Sequence, residues 1–313
     1  MPTATVVIPT YNRPDHLAAA LGALAAQAEP DVPFDVVIVD DGSSPPVALP
    51  AGPWPFDLRV VRLPENRGRA AARNAGLEHA HSPLVAFLDD DMRAQPGFVR
   101  AHVAAIDPAG RDVGLGRVTF HPDVPRDRLT RYLETRGAAK LDAAEPIPFR
   151  YLLTWNSAAP TALLRRVGGF DERLRAWGGE DLELGWRLAK AGARLVRVPD
   201  AWALHAHRRD VDAVWDVSVR FARESLPLIL EMHPDLVREL RADLLGPARY
   251  GGRTWRRRAV RLATAAPLPD LARRLLARWP SFPWPMALYH YLIASAWRRG
   301  LDRASPAGSG GTI

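Results

Sequence analysis

The 313-residue sequence contains no cysteine, which excludes disulfide bonds, thiolate metal sites and a cysteine nucleophile. Motifs of several large enzyme classes are missing too. No Walker A sequence occurs, no GxGxxG follows the first strand-like run, and neither HExxH nor GxSxG is present. These absences argue against P-loop NTPases, dinucleotide dehydrogenases, zinc proteases and α/β-hydrolases.

Long apolar runs are also scarce. The most apolar stretch, residues 282–297, is interrupted by Pro283, Pro285 and His290. A membrane-spanning helix needs roughly 20 apolar residues, so this stretch is too short. The N-terminus enters a strand-like run without the basic region and cleavage site of a secretory leader. We therefore expect a cytoplasmic protein.

Positive charge is unevenly distributed along the chain. The formal net charge is +7, and residues 208–313 contain 18 Lys and Arg against 10 Asp and Glu. The first two thirds are therefore close to neutral. A uniformly basic chain would suggest a nucleic acid partner, whereas a neutral front and a basic back suggest two regions with different tasks.

The first 120 residues alternate between apolar runs and amphipathic helical patterns. The strand-like runs are residues 4–9, 34–41, 58–63, 83–91 and 113–120, and the helical patterns are residues 15–27, 68–80 and 96–106. Strands that are apolar on both faces and joined by helices predict an α/β fold with a mostly parallel sheet flanked by helices.

The remainder of the chain is less regular. The sequence predicts a short helix near 126–140, a helix over 179–192, and then a strand and turn. From residue 211 onward the pattern is helical, with breaks at prolines. We expect three parts: an α/β domain over 1–207, a basic helical region over 208–303, and a flexible tail over 304–313.

Acidic clusters follow two of the predicted strands, at the end where open α/β sheets bind ligands. Asp40 and Asp41 follow the second strand, where a carboxylate can accept hydrogen bonds from a base or a ribose hydroxyl; a polar turn is the alternative. Asp89, Asp90 and Asp91 follow the fourth strand. Adjacent carboxylates repel one another, and a divalent cation would offset that repulsion. The alternative is a solvated acidic turn that caps the next helix.

Two further clusters lie near the end of the predicted α/β domain. Trp177 and two glycines precede Glu180 and Asp181, which open a helix. Acidic residues in a first helical turn are favoured by the helix dipole, and the same position would hold a carboxylate rigidly enough to accept a proton. His205 and His207 follow the next strand, where the pattern is consistent with either a metal ligand or a packed histidine.

Together, these segments resemble the family 2 glycosyltransferases with a GT-A fold. The matching segments, in chain order, are VVIPTYNRPDHL (6–17), VVIVDDGSS (36–44), ENRGRAAARNAG (65–76), VAFLDDD (85–91), VGGFDERL (167–174) and WGGEDLELGWRL (177–188). The resemblance covers roughly residues 3–207, and its order and spacing make it specific. It implies a GT-A fold, Rossmann-like, with the C-terminal helical region appended.

The resemblance also implies a binding site for a nucleotide-sugar. The residues it assigns to that site are Pro9, Thr10, Tyr11, Arg13, Asp40, Arg73, Asn74, Asp89, Asp90 and Trp177. Tyr11 would lie against the base, Asp40 would read the base, typically uracil, and Trp177 would form a platform for the sugar. A UDP-sugar is therefore the expected donor.

The resemblance further implies a divalent cofactor, Mn²⁺ or Mg²⁺. Asp89 and Asp91 match the DxD pair, with Asp91 as the direct metal ligand. Asp89 or Asp90 would contact ribose, or the metal through water. His205 would complete the metal shell, and His207 is its rival.

Catalysis in this family proceeds by single displacement with inversion. Asp181 matches the general base, and Glu180 beside it would contact the acceptor or the donor sugar. The acceptor would be the hydroxyl of a carbohydrate, a lipid-linked or a small molecule, in polysaccharide or glycoconjugate biosynthesis. A non-catalytic nucleotide-sugar-binding or scaffold protein is the alternative. A pyrophosphorylase is disfavoured, because the loop PTYNRPD lacks the Gly-rich GxGxR pattern.

The basic region lies outside the resemblance. It contains WRRRAVRLA (255–263), LARRLLARW (271–279) and WPMALYHYLIASAWRRG (284–300). Arginines beside apolar, Trp-rich helical faces suit an anionic membrane surface, which would place the protein at the inner face of a membrane. The alternative is a helical subdomain that presents arginine to solvent. No nucleic-acid-binding motif supports a nucleic acid partner.

Overall fold

The computed structural model describes residues 2–26, 32–49, 53–136, 139, 141, 146–252 and 254–304. The described chain forms two compact units. The first unit comprises the described residues within 1–124, 134–175 and 180–208, and the second comprises the described residues within 125–133, 176–179 and 209–304. Most of the predicted tail, from residue 305 onward, lies outside the described residues, as do parts of the predicted helix near 126–140.

The first unit is built on one eight-stranded sheet. Its strands are Ala4–Thr10 (β1), Phe34–Asp40 (β2), Asp57–Arg62 (β3), Leu84–Leu88 (β4), Met92–Ala94 (β5), Asp112–Phe120 (β6), Asn156–Pro160 (β7) and Arg194–His205 (β8). Their order across the sheet is β3-β2-β1-β4-β7-β6-β8-β5. The pairs β3–β2, β2–β1, β1–β4 and β6–β8 are parallel, whereas β7 and β5 pair with antiparallel neighbours.

Helices cover both faces of this sheet. They are Pro14–Ala25 (α1), Arg69–His79 (α2), Phe98–Ala105 (α3), Thr161–Arg166 (α5) and Glu180–Lys190 (α6), while Arg128–Glu134 (α4) lies mostly in the second unit. Successive residues of a strand point to opposite faces. Val6 and Ile8 therefore pack in the cluster that includes Leu17 of α1, and Val7 packs in the cluster that includes Ala72 of α2.

The second unit is helical. Its remaining helices are Val211–Arg220 (α7), Leu226–Met232 (α8), Leu236–Glu239 (α9), Ala242–Leu245 (α10), Trp255–Ala263 (α11), Leu268–Arg278 (α12) and Met286–Arg303 (α13), and a π-helical turn joins α7 to α8. Tyr132, Trp215, Leu276, Tyr289 and Leu292 belong to its core. No helix within the described ranges is long and apolar enough to cross a membrane.

The predicted α/β fold is confirmed, including the parallel arrangement of the first four strands. The sequence pattern does not indicate β5, β7 or α5, and it predicts a strand and turn where β8 runs unbroken for 12 residues. Strand β5 has three residues, which is too few to show a periodicity. Strand β7, Asn-Ser-Ala-Ala-Pro, lacks the β-branched and aromatic residues that mark strands. The sheet is consequently mixed, with four parallel and three antiparallel pairs, and parallel pairing predominates as the sequence predicts.

Candidate active site

The carboxyl ends of the parallel strands bring the predicted site residues to one edge of the sheet. Thr10 at the end of β1 is in register with Asp40 at the end of β2. The next strand in the sheet, β4, ends at Leu88, immediately before the three aspartates. Pro9 lies within β1, opposite Val39. The sheet thus places the first two acidic clusters at the same edge, as the sequence predicts.

Asp40 organises the turn that follows β2. Its carboxylate is buried and accepts hydrogen bonds from the backbone N–H groups of Ser43 (2.8 Å) and Val47 (3.2 Å), and it pairs with Arg62. Burial acts to raise the pKa of Asp40, but these hydrogen bonds and the Arg62 charge outweigh it and hold the pKa below its ordinary value. Asp40 is therefore an ionised carboxylate with structural partners; its contact with a base stays a prediction.

A glycine makes this turn possible. Gly42 has a φ of +76°, which L side chains rarely adopt. A Cβ at this position would lie 2.5 Å from the backbone carbon of Glu65. The neighbouring Asp41 accepts hydrogen bonds from the backbone N–H groups of Arg67 (2.8 Å) and Gly68 (3.0 Å). The Asp-Asp-Gly segment is thus packed against the loop that leads into α2.

The three consecutive aspartates point to different partners. Asp89 accepts a hydrogen bond from Arg73 Nη2 (2.9 Å), Asp90 accepts one from Thr10 Oγ1 (2.8 Å), and Asp91 accepts one from Arg13 Nη1 (3.0 Å). Burial and the adjacent Asp91 charge raise the pKa of Asp90 to about 7. Arginines and a hydroxyl of the protein offset part of the repulsion from which the sequence predicts a cation. The Asp91 charge still contributes to the raised pKa of Asp90, so part of that repulsion remains.

His205 lies beside Asp91. Its Nε2 atom is 3.5 Å from Asp91 Oδ1, and this proximity follows from the pairing of β5 with β8, in which Met92 is opposite His205. Burial acts to raise the pKa of Asp91, but His205 and Arg13 outweigh it and hold the pKa far below its ordinary value. The rival histidine, His207, has its ring edge-on to that of His16, with centroids 6.3 Å apart.

The pair Asp91 and His205 has the chemistry of a divalent-cation site. Asp91 Oδ1 is buried without a hydrogen-bond partner, and it is close enough to His205 Nε2 for one ion to contact both. The third predicted ligand, Asp89, is instead bonded to Arg73. Within the described ranges no group of three or more acidic or histidine side chains is arranged to hold a metal ion. The described residues thus offer two adjacent side chains, Asp91 and His205, that could contact a metal ion, and water or a bound substrate would complete its coordination.

Arg73 joins the two halves of the site. Its side chain, on α2, is 1% exposed, and it donates to Asp89 Oδ1 (2.9 Å) and to Glu180 Oε1 (3.0 Å). Its Nη1 atom is also 3.7 Å from Asp181 Oδ1. Burial acts to lower the pKa of Arg73, but the three carboxylates outweigh it and raise the pKa. The helix can approach the sheet closely because a glycine, Gly76, faces β1 at its next turn.

Asp181 lies in the first turn of α6, next to Arg73. Its carboxylate accepts hydrogen bonds from the hydroxyl of Thr154 and from the backbone N–H of the same residue (3.2 Å). Burial and the neighbouring Glu180 charge raise the pKa of Asp181 to about 6, against the lowering effects of Arg73 and Thr154. One oxygen of Glu180, Oε2, is buried without a hydrogen-bond partner. The site thus contains a carboxylate whose pKa is close to neutral, which is a property of general bases.

The remaining predicted residues have different environments. Tyr11 is 45% exposed, as a platform for a base requires. Asn74 donates to the carbonyl of Phe170 (2.9 Å) and to Glu172 (3.0 Å), and its own oxygen accepts from the Phe170 N–H. Trp177 belongs to the second unit, where the guanidinium of Arg209 lies 4.9 Å from its ring centroid. For Tyr11, Asn74 and Trp177, contact with a nucleotide-sugar stays a prediction.

Three residues of the site are not among those that the sequence predicts. Thr154 holds Asp181, Arg62 pairs with Asp40, and Asn12 ties the first loop to the second. Asn12 has a φ of +53° and its side chain accepts a hydrogen bond from the Ser44 N–H (2.8 Å). Asn tolerates this backbone conformation, and that preference was a readable signal for a turn. Thr154 and Arg62 gave no local signal.

Comparison with known proteins identifies the family of the chain. The profile described as Glycosyl transferase family 2 matches residues 5–167, and one described as N-terminal domain of galactosyltransferase matches residues 144–208. A validoxylamine A glucosyltransferase of Streptomyces hygroscopicus subsp. limoneus is 33% identical over an alignment that covers 77% of this chain and 59% of the relative. The chain thus spans about three fifths of that relative's length.

Solved structures share the fold at low sequence identity. A mannosyltransferase from Pyrobaculum calidifontis, in complex with GDP-Man and Mn²⁺, is 24% identical with a TM-score of 0.55, over 95% of this chain and 87% of that one. S. aureus TarS 1–349, in complex with UDP-GlcNAc, is 20% identical with a TM-score of 0.53, over 96% of this chain and 89% of that one. At this identity the likeness establishes a GT-A-like fold.

Proposed function

The chain belongs to glycosyl transferase family 2, and on that premise we propose that it moves a sugar from a nucleoside diphosphate sugar to an acceptor hydroxyl with inversion. The observation that carries the proposal is the environment of the Asp181 carboxylate. This carboxylate is held in place by Thr154, has a pKa raised to about 6, and is linked through Arg73 to Asp89 at the ends of the strands.

Asp181 would act as the general base. With a pKa of about 6 it is mostly ionised at pH 7, and so can accept the proton of the attacking hydroxyl. It becomes protonated below pH 6, so we propose that transfer decreases on the acid side of that value. Glu180 would orient the acceptor or the donor sugar through its buried, unpartnered Oε2 atom.

The other strand ends would bind the donor. Tyr11, with its exposed ring, would stack on the base, and Arg13 would donate to the diphosphate in addition to Asp91. Asp91 and His205 would hold a Mn²⁺ or Mg²⁺ ion, which would offset the negative charge that develops on the leaving diphosphate. We keep a UDP-sugar as the expected donor; one solved neighbour is in complex with UDP-GlcNAc and another with GDP-Man.

A donor screen tests the proposal. UDP-glucose, UDP-GlcNAc and GDP-mannose would be incubated with the protein and Mn²⁺, and nucleotide release would be measured with and without simple sugar acceptors. We expect one donor to be turned over. A donor that stabilises the protein against heat but is never turned over would instead support the non-catalytic binding protein.

The variant Asp181→Asn tests the assignment of the base. Asn cannot accept the proton, so transfer should fall by about 10²-fold or more while donor affinity changes little. The matched control is Asp112→Asn, which removes a carboxylate from an exposed ion pair with Arg194. An equal loss of donor affinity and turnover in Asp181→Asn would contradict the assignment.

A further inference from the structure

Exposed apolar side chains are concentrated in one stretch of the sequence, within the second unit. Of the eight large hydrophobic side chains that are exposed in the described chain, six lie between residues 255 and 282. They are Trp255 (74% exposed), Leu262 (77%), Leu268 (55%), Leu271 (54%), Trp279 (51%) and Phe282 (53%). The proposed transfer reaction makes no use of them.

Helix α11 is attached to its unit by arginines. Arg257 donates to the carbonyl of Gly246 (2.8 Å), and Arg261 donates to the carbonyl of Leu245 (2.7 Å) and to Asp302 (2.8 Å). None of the residues of α11 is buried. The polar face of this amphipathic helix is therefore the one that contacts the protein.

The apolar face of α11 consequently points to solvent. At 100° per residue, Trp255, Ala259 and Leu262 lie together on the side opposite to the anchoring arginines. Arg256 and Arg258 are exposed at the two borders of this face. Across the described ranges Arg258 has no ion pair, and Arg256 lies over the Trp255 ring at 5.7 Å from its centroid.

The next helix and the turn after it have a similar composition. Leu268 and Leu271 of α12 are exposed, and so are Arg274 and Arg278 on the same helix. On the opposite side, residues such as Leu276 pack into the unit's core. Both helices thus present apolar side chains bordered by arginine.

We propose that the exposed side chains of α11 and α12 bind the surface of an anionic phospholipid bilayer. Trp is favoured at the boundary between headgroups and acyl chains. Arginines beside it contact lipid phosphates, and an amphipathic helix lies in the plane of that boundary. A second copy of the chain fits less well, because its arginine borders would repel those of the first.

Co-sedimentation with vesicles tests this docking surface without any donor or acceptor. The full chain would be mixed with vesicles of phosphatidylcholine, or of equal parts phosphatidylcholine and phosphatidylglycerol. We expect binding to the second kind that weakens as salt is added, because the attraction is electrostatic in part. The double variant Trp255→Gln/Leu262→Gln should bind about tenfold less or worse, since it removes the inserted apolar area.

Charge variants distinguish binding through this surface from a general attraction between a basic protein and an anionic bilayer. Arg256→Gln/Arg258→Gln should lower the partition coefficient about tenfold, whereas Arg59→Gln/Arg166→Gln removes the same charge from exposed positions of the first unit and should change it little. Equal losses in both double variants would overturn the proposal. So would the absence of lipid binding, or light scattering that shows a dimer abolished by Trp255→Gln/Leu262→Gln.

Discussion

The hydroxyl of Thr154 is predicted to set the pH at which Asp181 becomes a base. It donates to the Asp181 carboxylate and lowers its pKa, so Thr154→Val should raise that pKa further above its present value of about 6. A hydrogen bond to a charged group contributes about 1.5–3 kcal/mol. At 1.36 kcal/mol per pKa unit, the pKa would rise by about 1–2 units.

The shift has a defined kinetic signature. At pH 7 the ionised fraction of Asp181 would fall from about nine tenths to between about one half and one tenth, so kcat/KM would drop about twofold to tenfold. At pH 9 the variant should recover, because the carboxylate is again ionised. The assay is the pH profile of kcat/KM with the donor that the screen identifies, since this ratio reports ionisations of the free enzyme.

A conservative variant controls for damage to the fold. Thr154→Ser keeps the hydroxyl, so the acid limb of its pH profile of kcat/KM should lie near that of the unmodified protein. The reasoning would be refuted if Thr154→Val left the acid limb in place, or if its activity remained low at pH 9. Either result would mean that Thr154 does not act through the ionisation of Asp181.

Three further predictions concern stability and metal binding. Arg73→Met should lower the free energy of unfolding by about 3–5 kcal/mol, measured by urea denaturation, because it leaves buried Glu180 unpaired. In the same measurement, Gly42→Ala should lower the free energy of unfolding by about 2 kcal/mol more than Gly97→Ala does, since both glycines have a positive φ but only Gly42 lacks space for a Cβ. Mn²⁺ with UDP should raise the melting temperature, and Asp91→Asn should abolish that rise; an unchanged rise would exclude Asp91 as a ligand.

Positions at strand ends could be predicted because they depend on local patterns. A buried run followed by acidic residues identifies both the strand and the edge at which its end lies, and Asp40 and Asp89 are located in this way. The roles of these residues depend on partners far along the chain. Arg73 binds Glu180 across 107 positions, and no periodicity in either segment reveals that contact.

His205 shows how a missed element limits a prediction. The sequence offered two histidines after one strand and no means to choose the one nearer to Asp91. The structure places His205 beside Asp91 through β5, a three-residue strand that pairs with the end of β8. Since so short a strand carries no pattern, only the resemblance to a family pointed to this histidine before the structure did.

Helix α11 is a case in which the amphipathic pattern suggests the wrong inner side, and the structure gives a physical reason. An amphipathic helix is ordinarily read as apolar side inward, because burial of apolar surface is the dominant favourable term in folding. Here Arg257 and Arg261 occupy the inner side, because their guanidinium groups reach carbonyl oxygens at the end of α10 that have no partner within that helix. The apolar side of the helix, with Trp255 and Leu262, is consequently exposed to solvent. Helix α11 is thus anchored to its unit by charged side chains, while its apolar side is exposed to water. That exposed side remains available to bind an apolar surface such as the boundary of a lipid bilayer.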